Sequence, residues 1–483
     1  MSSAEKPVAE NATQGNDSKL LAEAFGADAR VLQAKALLAD AARDHRGQIT
    51  GPRPANPELA RVQRADLERF AELRGGNLFY PYLGSGFGSG ALVELADGSV
   101  KLDMICGIGV HYFGHGDEGL GARLMDAALQ DTVMQGNLQQ NSDSPGLMQA
   151  LLALATSGGA RLDHCFLTTS GAMANENALK LAFHHHRPAD RVLAFSGAFA
   201  GRTLALSQIT DNPSYRVGLP STLSVDYLPF FDARDPSGSQ QRATRSLREH
   251  LDRHPGKHAV MILELVQGEG GYFPGDTRFF EAILSLLRER EIAILFDEIQ
   301  TFGRTDRPFA YQHFGLDDFA DIVSVGKTSQ VCATLFSDAY RPPPGLISQT
   351  FTGSTSAIAA ARYVVEQFRQ GHLFGESGRV AEVARRFTEG FDAIARRHPD
   401  WLRGPHGLGA MLAFTPFEGE KQSTRRLLDE LFEQGVIAFS TAAGALSRVR
   451  FLPPVAVIQN EQIELVLEIL EASLAVVANE RGA

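Results

Sequence analysis

Residues 320–336 read ADIVSVGKTSQVCATLF, a stretch that holds a Gly-Lys-Thr triplet centred on Lys327. A nucleotide-binding loop of the form G-x-x-x-x-G-K-[ST] carries the same triplet, and it needs another glycine five positions before the triplet's own glycine. That position is Asp321, a carboxylate, and the mainly apolar residues 322–325 predict a β-strand. The spacing therefore excludes a P-loop, and Lys327 needs another explanation.

Composition and charge exclude several classes of protein. A chain of 483 residues with 44% hydrophobic residues suits two or three domains, or one large α/β domain with additions. The net charge of −11 comes without a basic stripe, and no apolar run spans a membrane, so we expect neither a nucleic-acid nor a membrane partner. Three widely spaced cysteines predict no disulfide framework and a cytoplasmic location. We expect no metal, because the consecutive histidines 184–186 at a helix end point apart.

The middle of the chain alternates short apolar runs with helical segments such as TRFFEAILSLLRERE, for which Asp276 is the expected N-cap. The runs are HCFLTTS, RVLAFSG, AVMILELVQG, IAILFDEIQ, DIVSVGK and CATLFS. Apolar strands between helices predict an α/β fold with a mostly parallel sheet covered on both faces. After about residue 371, long amphipathic helices around short strands predict a second, smaller α+β domain. Residues 1–19 have no signal-peptide pattern and are expected to be disordered.

Polar residues at strand ends are the candidates for a binding site, because open α/β sheets bind ligands there. Ser170, Gly171 and Ala172 stand where a strand turns into a helix, which suits a phosphate, although a plain turn is an equally good interpretation. Asp297 ends the most apolar strand and needs a partner, either a helix cation or a cationic cofactor atom. Lys327 reaches the same edge, where burial can make it an amine nucleophile, although a surface lysine is commoner.

The three features together meet the needs of pyridoxal 5'-phosphate. This cofactor requires a phosphate site, a carboxylate for its pyridine nitrogen and a lysine for its aldehyde. A strand-end aspartate keeps the pyridine nitrogen protonated, so that the ring can accept electrons from the substrate. We therefore predict pyridoxal 5'-phosphate as the cofactor.

Seven segments, in order along the chain, resemble the class III, or ω-amino acid, aminotransferases, which are fold-type I pyridoxal phosphate enzymes. They are DMICGIGVHYFGH, SGAMANENALKLA, FSGAFAGRT, ELVQGEGG, DEIQTFGRT, DIVSVGK and RFLPPVAV. GKTSQVC and the later GSTSAIAAARYVVE are most similar to lysine 6-aminotransferases. Residues 1–75 fall outside the resemblance and are expected to form a partly disordered N-terminal arm. For the rest of the chain we expect a small domain from residues 76–120 and 371–483 and a large cofactor-binding domain over residues 121–370.

The resemblance also implies roles for residues around the cofactor. Lys327 would form the Schiff base and move the proton of the substrate carbon. Asp297 would pair with the pyridine nitrogen, and Gln300 would approach the phenolic oxygen. Phe199 and Ile299 would pack on the two faces of the ring.

Further implied roles concern the phosphate and the substrates. Ser170, Gly171 and Ala172 belong to the phosphate loop, and Thr355 would reach the phosphate of a neighbouring subunit, which implies a homodimer with shared active sites. The substrate-binding residues would be Arg202, for the distal carboxylate, and Arg450, for the α-carboxylate of glutamate or 2-oxoglutarate, with Glu269 as the alternating partner of Arg450.

These roles imply an aminotransferase that moves an amino group from an ω-amino donor, such as lysine or ornithine, to 2-oxoglutarate by a ping-pong mechanism. A decarboxylase, racemase or aminomutase would share Lys327 and Asp297, whereas Arg450 with Glu269 favours a transaminase. A binding or regulatory protein that retains only the fold is the remaining alternative, and the intact Lys327, Asp297 and Gln300 argue against it.

Overall fold

The computed structural model describes residues 20–78, 80–441 and 446–482, so the expected disorder of residues 1–19 lies outside the described residues. The helices are α1 Leu21–Gly26, α2 Ala29–Arg46, α3 Pro57–Arg74, α4 Cys106–Gly109, α5 Glu118–Ala128, α6 Asp143–Ala155, α7 Gly171–His185, α8 Leu206–Ile209, α9 Pro236–Arg253, α10 Gly268–Gly271, α11 Thr277–Glu289, α12 Ala310–His313, α13 Thr355–Arg369, α14 Arg379–Arg397, α15 Lys421–Gln434 and α16 Asn460–Gly482. The strands are β1 Gly84–Ser89, β2 Leu92–Leu95, β3 Val100–Asp103, β4 Met134–Gln135, β5 His164–Thr168, β6 Arg191–Phe195, β7 Ser224–Leu228, β8 His258–Leu263, β9 Val266–Gln267, β10 Phe273–Pro274, β11 Ala293–Glu298, β12 Ile322–Val325, β13 Cys332–Phe336, β14 Gly353–Ser354, β15 Leu402–Leu408, β16 Met411–Pro416, β17 Val436–Ile437, β18 Phe439–Ser440 and β19 Val449–Phe451. None of the described helices is both long and apolar enough to cross a membrane.

A seven-stranded sheet forms the centre of the fold, in the order β5-β13-β12-β11-β8-β6-β7. Its neighbours are parallel except at β13, which is antiparallel to both β12 and β5. Val192 and Ala194 of β6 belong to one hydrophobic cluster, and the alternate residues Leu193 and Phe195 belong to another. Burial on both faces explains the near-continuous apolar runs, and the prediction of a mostly parallel, two-sided sheet is confirmed.

The reversed strand follows from a short connection. β12 ends at Val325 and β13 begins at Cys332, and so few residues cannot form the crossover that a parallel neighbour requires. Cys332 pairs with Thr168 at the end of β5, directly before α7. The reversal therefore brings the turn that holds Lys327 next to the start of α7.

The strand on the other side of β12 supplies the carboxylate. In β11, Asp297 pairs with Ser324 of β12, and the two strands are parallel. Their carboxyl ends therefore meet at one edge of the sheet, and Asp297 and Lys327 lie at that edge, as the sequence predicts.

Two four-stranded sheets, β1-β2-β3-β17 and β15-β16-β19-β18, lie apart from the central sheet. β17 runs parallel to β3, so early and late segments of the chain share one sheet. This arrangement favours a small domain made of residues 76–120 and 371–483, and the division of the chain at those residues stays a prediction.

The helices α1, α2 and α3 precede the first strand as an arm. Asp28 and Asn56 cap α2 and α3 by accepting backbone N–H groups of the first turn. α2 buries none of its residues, and its Arg43 pairs with Glu118 of α5 at 2.7 Å. An exposed pair of this kind stabilises a fold by no more than about 1 kcal/mol. The segment between α2 and α3 is tied to the fold more directly, by two backbone hydrogen bonds between Arg53 and Val100 and by one from Asn56 N–H to Asp97 O.

Candidate active site

A cavity of about 470 Å³ lies at the carboxyl edge of the central sheet. Every residue predicted for the site lines this cavity except Ser170, Thr355 and Arg450. The strands thus bring side chains from distant parts of the chain to one place, as the strand-end rule predicts.

Asp297 is a carboxylate in the cavity wall with only 7% of its surface exposed. Its Oδ2 accepts a hydrogen bond from Asn175 Nδ2 at 2.8 Å, and its Oδ1 accepts one from the backbone N–H of Ile299 at 3.0 Å. In the described part of the chain, no lysine, arginine or histidine nitrogen lies within 4.0 Å of it. Burial raises the pKa of Asp297, and the hydrogen bond from Asn175 opposes the shift. A cationic ligand atom would supply the partner that this carboxylate lacks.

Lys327 lies in a 3₁₀ turn directly after β12. Its backbone has a φ of +50°, a left-handed conformation that is strained for a residue with a side chain. Two neighbours hold the turn in place: Thr328 Oγ1 donates to Gly109 O at 3.0 Å, and Gln330 Nε2 donates to Val110 O at 2.8 Å. The strained position of the lysine is therefore fixed by side chains of its own turn.

The surroundings of Lys327 favour its neutral amine. Burial is the largest cause and lowers the pKa of the ammonium group, while the carboxylates of Asp297, Glu269 and Glu264 oppose the shift. The neutral amine is the form that attacks a carbonyl group. Lys327 is thus a cavity residue and not a lysine of the open surface.

The start of α7 forms a cradle for an anion. Ser170 Oγ caps the helix by accepting the N–H of Met173 at 3.2 Å. The N–H groups of Gly171 and Ala172, in the first helical turn, have no intrahelical partner and carry the positive end of the helix dipole. A Cβ on Gly171 would lie 2.9 Å from Ile299 Cγ2, so only glycine fits there. The cradle suits a phosphate.

Two buried oxygens in the cavity wall, Asn175 Oδ1 and Gln300 Oε1, have no hydrogen-bond partner in the described part of the chain. Buried polar atoms are nearly always paired, so these oxygens indicate a polar ligand. Phe199 and Ile299 add apolar walls. Together with the amine, the carboxylate and the anion cradle, these groups fit the aldehyde, pyridine nitrogen, phosphate and ring of pyridoxal 5'-phosphate.

Arg450 and Glu269 form the ion pair that the sequence predicts, with Arg450 Nη2 3.3 Å from Glu269 Oε1. Arg450 is fully buried, and it also donates to Gly268 O at 2.8 Å and to Ser440 O at 3.0 Å. Only Glu269 lines the cavity, so the arginine lies behind its partner. A substrate carboxylate would need to displace Glu269 to reach it.

Arg202 lies in the wall of the same cavity with an exposed side chain. Its guanidinium carbon lies 3.9 Å from the ring centroid of Tyr215. No described aspartate or glutamate lies within 4.0 Å of it, so its charge is not neutralised by the chain. Sequence reasoning did not find Tyr215, because the ring comes from a loop without a motif of its own.

Thr355 does not line the cavity of its own chain. Its hydroxyl donates to Thr132 O and accepts a hydrogen bond from Gln135 Nε2 at 3.0 Å. A contact with the phosphate of another subunit stays a prediction.

Sequence reasoning also missed Glu264 and Asn175 as site residues. Glu264 lines the cavity, and its two oxygens accept the backbone N–H groups of Phe199 and Gly268, both at 2.9 Å. Burial, together with the charge of Asp297, raises its pKa to about 8. The strand-end rule applied to Asp297 would also have found Glu264, which directly follows β8. Asn175 could have been found as a polar residue on the apolar face of α7.

The expectation that the histidines 184–186 point apart is wrong for two of them, because the ring centroids of His185 and His186 lie 4.6 Å apart. His186 Nε2 lies 3.1 Å from Tyr340 Oη, whereas His184 contacts Arg187. Over residues 20–78, 80–441 and 446–482, no group of three or more histidine, cysteine or acidic residues could hold a metal ion.

Comparison with known proteins gives a consistent result. The sequence model of the family described as aminotransferase class-III matches residues 86–474. The acetylornithine aminotransferase of Parasynechococcus marenigrum (strain WH8102) is 30% identical over 402 residues, which are 80% of this chain and 90% of that protein. The solved lysine aminotransferase from M. tuberculosis has a TM-score of 0.75 at 24% identity and covers 85% of this chain and 99% of its own. The ornithine aminotransferase from Toxoplasma gondii ME49 has a TM-score of 0.73 at 22% identity, with 86% and 96% covered.

Proposed function

The chain belongs to the class-III aminotransferase family, with the fold-type I architecture and the pyridoxal 5'-phosphate cofactor that its sequence predicts, and on that premise we propose its reaction. An ω-amino donor, lysine- or ornithine-like, gives its amino group to 2-oxoglutarate by a ping-pong mechanism. The observation that carries this proposal is the Arg450–Glu269 pair beside Lys327. Such a pair lets one site accept a substrate with a carboxylate at that position and then one without it.

Bound pyridoxal 5'-phosphate supplies an aldehyde that reacts with amines and a protonated ring that accepts electrons. Lys327 provides the amine that holds this aldehyde in the resting enzyme, and its Nζ then takes and returns the proton of the reacting substrate carbon. Asp297 holds a proton at the pyridine nitrogen, and Asn175 orients the carboxylate for that task. The N–H groups of Gly171 and Ala172 bind the phosphate.

Other residues would orient the ring and complete the phosphate site. Ser170 keeps the first turn of α7 in place as its cap. Phe199 and Ile299 would pack on the ring faces, and Gln300 would hydrogen-bond the phenolic oxygen. Thr355 would bind the phosphate of the second subunit in a homodimer, as the resemblance to the family implies. The cytoplasmic location stays a prediction.

The two arginines would bind different carboxylates of the substrates. Arg202 binds the carboxylate distant from the reacting amine in both half-reactions, supported by its unpaired charge in the cavity wall. Arg450 binds the α-carboxylate of 2-oxoglutarate after Glu269 has moved away. With an ω-amino donor, Glu269 returns and neutralises Arg450. A buried arginine without either partner would be costly, which favours the exchange.

A donor screen tests the proposed reaction. The protein loaded with cofactor is given 2-oxoglutarate and, in turn, N-acetylornithine, ornithine, lysine or an α-amino acid control such as alanine, and glutamate is measured. The donors follow the names of the relatives, and we expect glutamate with at least one ω-amino donor and little with alanine. Glutamate from alanine alone would refute the donor class. Carbon dioxide release or racemisation without glutamate would favour a decarboxylase or racemase instead.

A further inference from the structure

The guanidinium group of Arg202 offers two different surfaces to its surroundings. The guanidinium carbon lies over the ring of Tyr215, 3.9 Å from the ring centroid, a distance too short for an N–H group to point at the ring and therefore typical of face-on stacking. Its N–H donors all lie in the guanidinium plane, at the edge of the group. An aromatic ring that contacts the face leaves that edge free, whereas a carboxylate partner would occupy it.

Arg450, the buried arginine behind the cavity wall, differs at its edge, although its guanidinium carbon also lies 4.6 Å from the ring centroid of Phe439 and 5.3 Å from that of Tyr272. Arg450 directs its edge at protein groups, with Nη1 donating to Gly268 O and Nη2 donating to Ser440 O, and both nitrogens lie 3.3 Å from Glu269 Oε1. No hydrogen bond from Arg202 to any described group accompanies its contact with Tyr215. Protein groups therefore occupy the edge of Arg450, whereas among the described residues the edge of Arg202 has no such partner.

The loop that carries the ring is anchored to the segment that carries the arginine. Arg216 Nη1, next to Tyr215, donates to Thr210 O at 2.9 Å. The hydroxyl of the same threonine accepts the N–H of Ala200 at 3.0 Å and donates to Gly201 O at 2.9 Å. Thr210 thus joins the side chain of Arg216 to the backbone of residues 200–201, which limits the reorganisation that the stack needs when a ligand arrives.

We propose that Tyr215 is a positioning residue for substrate binding, which holds Arg202 by its face so that the edge of the guanidinium receives a carboxylate of a dicarboxylate oxo acid or amino acid. The inference rests on the proposed role of Arg202. A ring suits this task better than an acidic side chain, because it orders the arginine without neutralising the charge that the substrate must meet.

Glutarate, a dicarboxylate without a reacting group, tests the proposal with cofactor-loaded protein and isothermal titration calorimetry. Tyr215→Leu and Tyr215→Met both remove the ring and are expected to weaken glutarate binding roughly three- to tenfold. Tyr215→Phe keeps the ring and should bind within about twofold of the wild type. Adding Tyr215→Leu to Arg202→Ala should weaken binding no further, since the ring acts only through the arginine.

Each outcome of this series decides one point. Wild-type affinity in Tyr215→Leu and Tyr215→Met, with weakened binding in Arg202→Ala, overturns the inference and leaves the proposed function standing. No effect of Arg202→Ala overturns the role of Arg202 and the inference with it. Weakening by Tyr215→Phe equal to that by Tyr215→Leu would assign the effect to the hydroxyl group. A further loss on adding Tyr215→Leu to Arg202→Ala would assign it to general disruption of the loop.

Discussion

The floor of the cavity and its rim hold charged side chains in different ways. We define the floor as Asp297, Asn175 and Lys327, and the rim as Arg202 with the Glu269–Arg450 pair. In the floor, the amide of Asn175 and one backbone N–H group hold the carboxylate of Asp297, and a strained turn holds Lys327. No lysine, arginine or histidine nitrogen lies within 4.0 Å of the aspartate in the described chain. In the rim, Glu269 is the partner of Arg450 that a substrate carboxylate can replace, and Arg202 has no described carboxylate partner within 4.0 Å. The floor is therefore suited to one constant ligand, and the rim to several alternating ligands.

The largest expected effect lies in the floor. Lys327→Ala should abolish turnover and the yellow colour of the bound cofactor, because no other residue of the cavity is proposed to supply the amine and move the proton. Absorption spectra and glutamate assays measure both effects. Lys180→Ala, which removes an exposed lysine of α7, is the matched control. Normal transamination by Lys327→Ala would show that Lys327 neither supplies the amine nor moves the proton, and the contrast between floor and rim would then fail.

Asp297→Asn should be the next most damaging change. The amide keeps the shape of the carboxylate but cannot hold a proton at the pyridine nitrogen, so we expect a loss of about 3–4 kcal/mol in transition-state stabilisation with every substrate. Values of kcat/KM for several donors measure this loss, and thermal unfolding shows whether the fold is retained. A decrease of less than about tenfold, or about 1.4 kcal/mol, would show that Asp297 is not the pyridine partner.

Changes at the rim should separate the half-reactions. Arg450→Ala is expected to slow mainly the half-reaction with 2-oxoglutarate, whereas Arg202→Ala should slow both, each by about 2 kcal/mol. Single-turnover rates for each half-reaction measure the effects, and Glu269→Gln, which keeps Arg450, serves as the comparison. Equal slowing of both half-reactions by Arg450→Ala, with no effect of Arg202→Ala, would contradict the carboxylate-binding roles proposed for these two arginines.

The smallest expected effect concerns Glu264, a cavity residue whose two oxygens accept the N–H groups of Phe199 and Gly268. Its pKa is raised from 4.5 to about 8, so its contribution to stability is full below pH 4.5 and is lost as the pH rises through about 8. In Glu264→Gln the amide has one acceptor oxygen for two N–H groups, and we expect a loss of about 1 kcal/mol at pH 5. Urea unfolding of cofactor-free protein should show this difference shrinking towards pH 9. A pH-independent difference would contradict the raised pKa.

Sequence patterns predict the floor better than the rim. Asp297 and Lys327 follow apolar strands, and the parallel register of β11 and β12 places them at one edge. The N-cap Asp276 of α11 is also confirmed, with its side chain accepting N–H groups of the first turn. Each of these predictions depends on local pattern or on one general property of parallel sheets.

Partners from distant segments are harder to predict. Asn175 reaches Asp297 across 122 positions of the chain, and Arg450 reaches Glu269 across 181. The resemblance to the family supplied the second contact, and no spacing rule supplied the first. The ring of Tyr215 depends on the path of a loop, which the periodicity of the sequence does not determine.

The antiparallel strand β13 also has a consequence for the order of folding. β12 and β13 are neighbours in the chain, so their pairing closes a small loop and places the lysine at the tip of a hairpin early. The pairing of β13 with β5 joins segments far apart in sequence and therefore carries a larger entropic cost of loop closure. We expect the chain to present its reactive amine before the anion cradle has assembled around it, so that firm retention of the cofactor would come only after β13 has paired with β5.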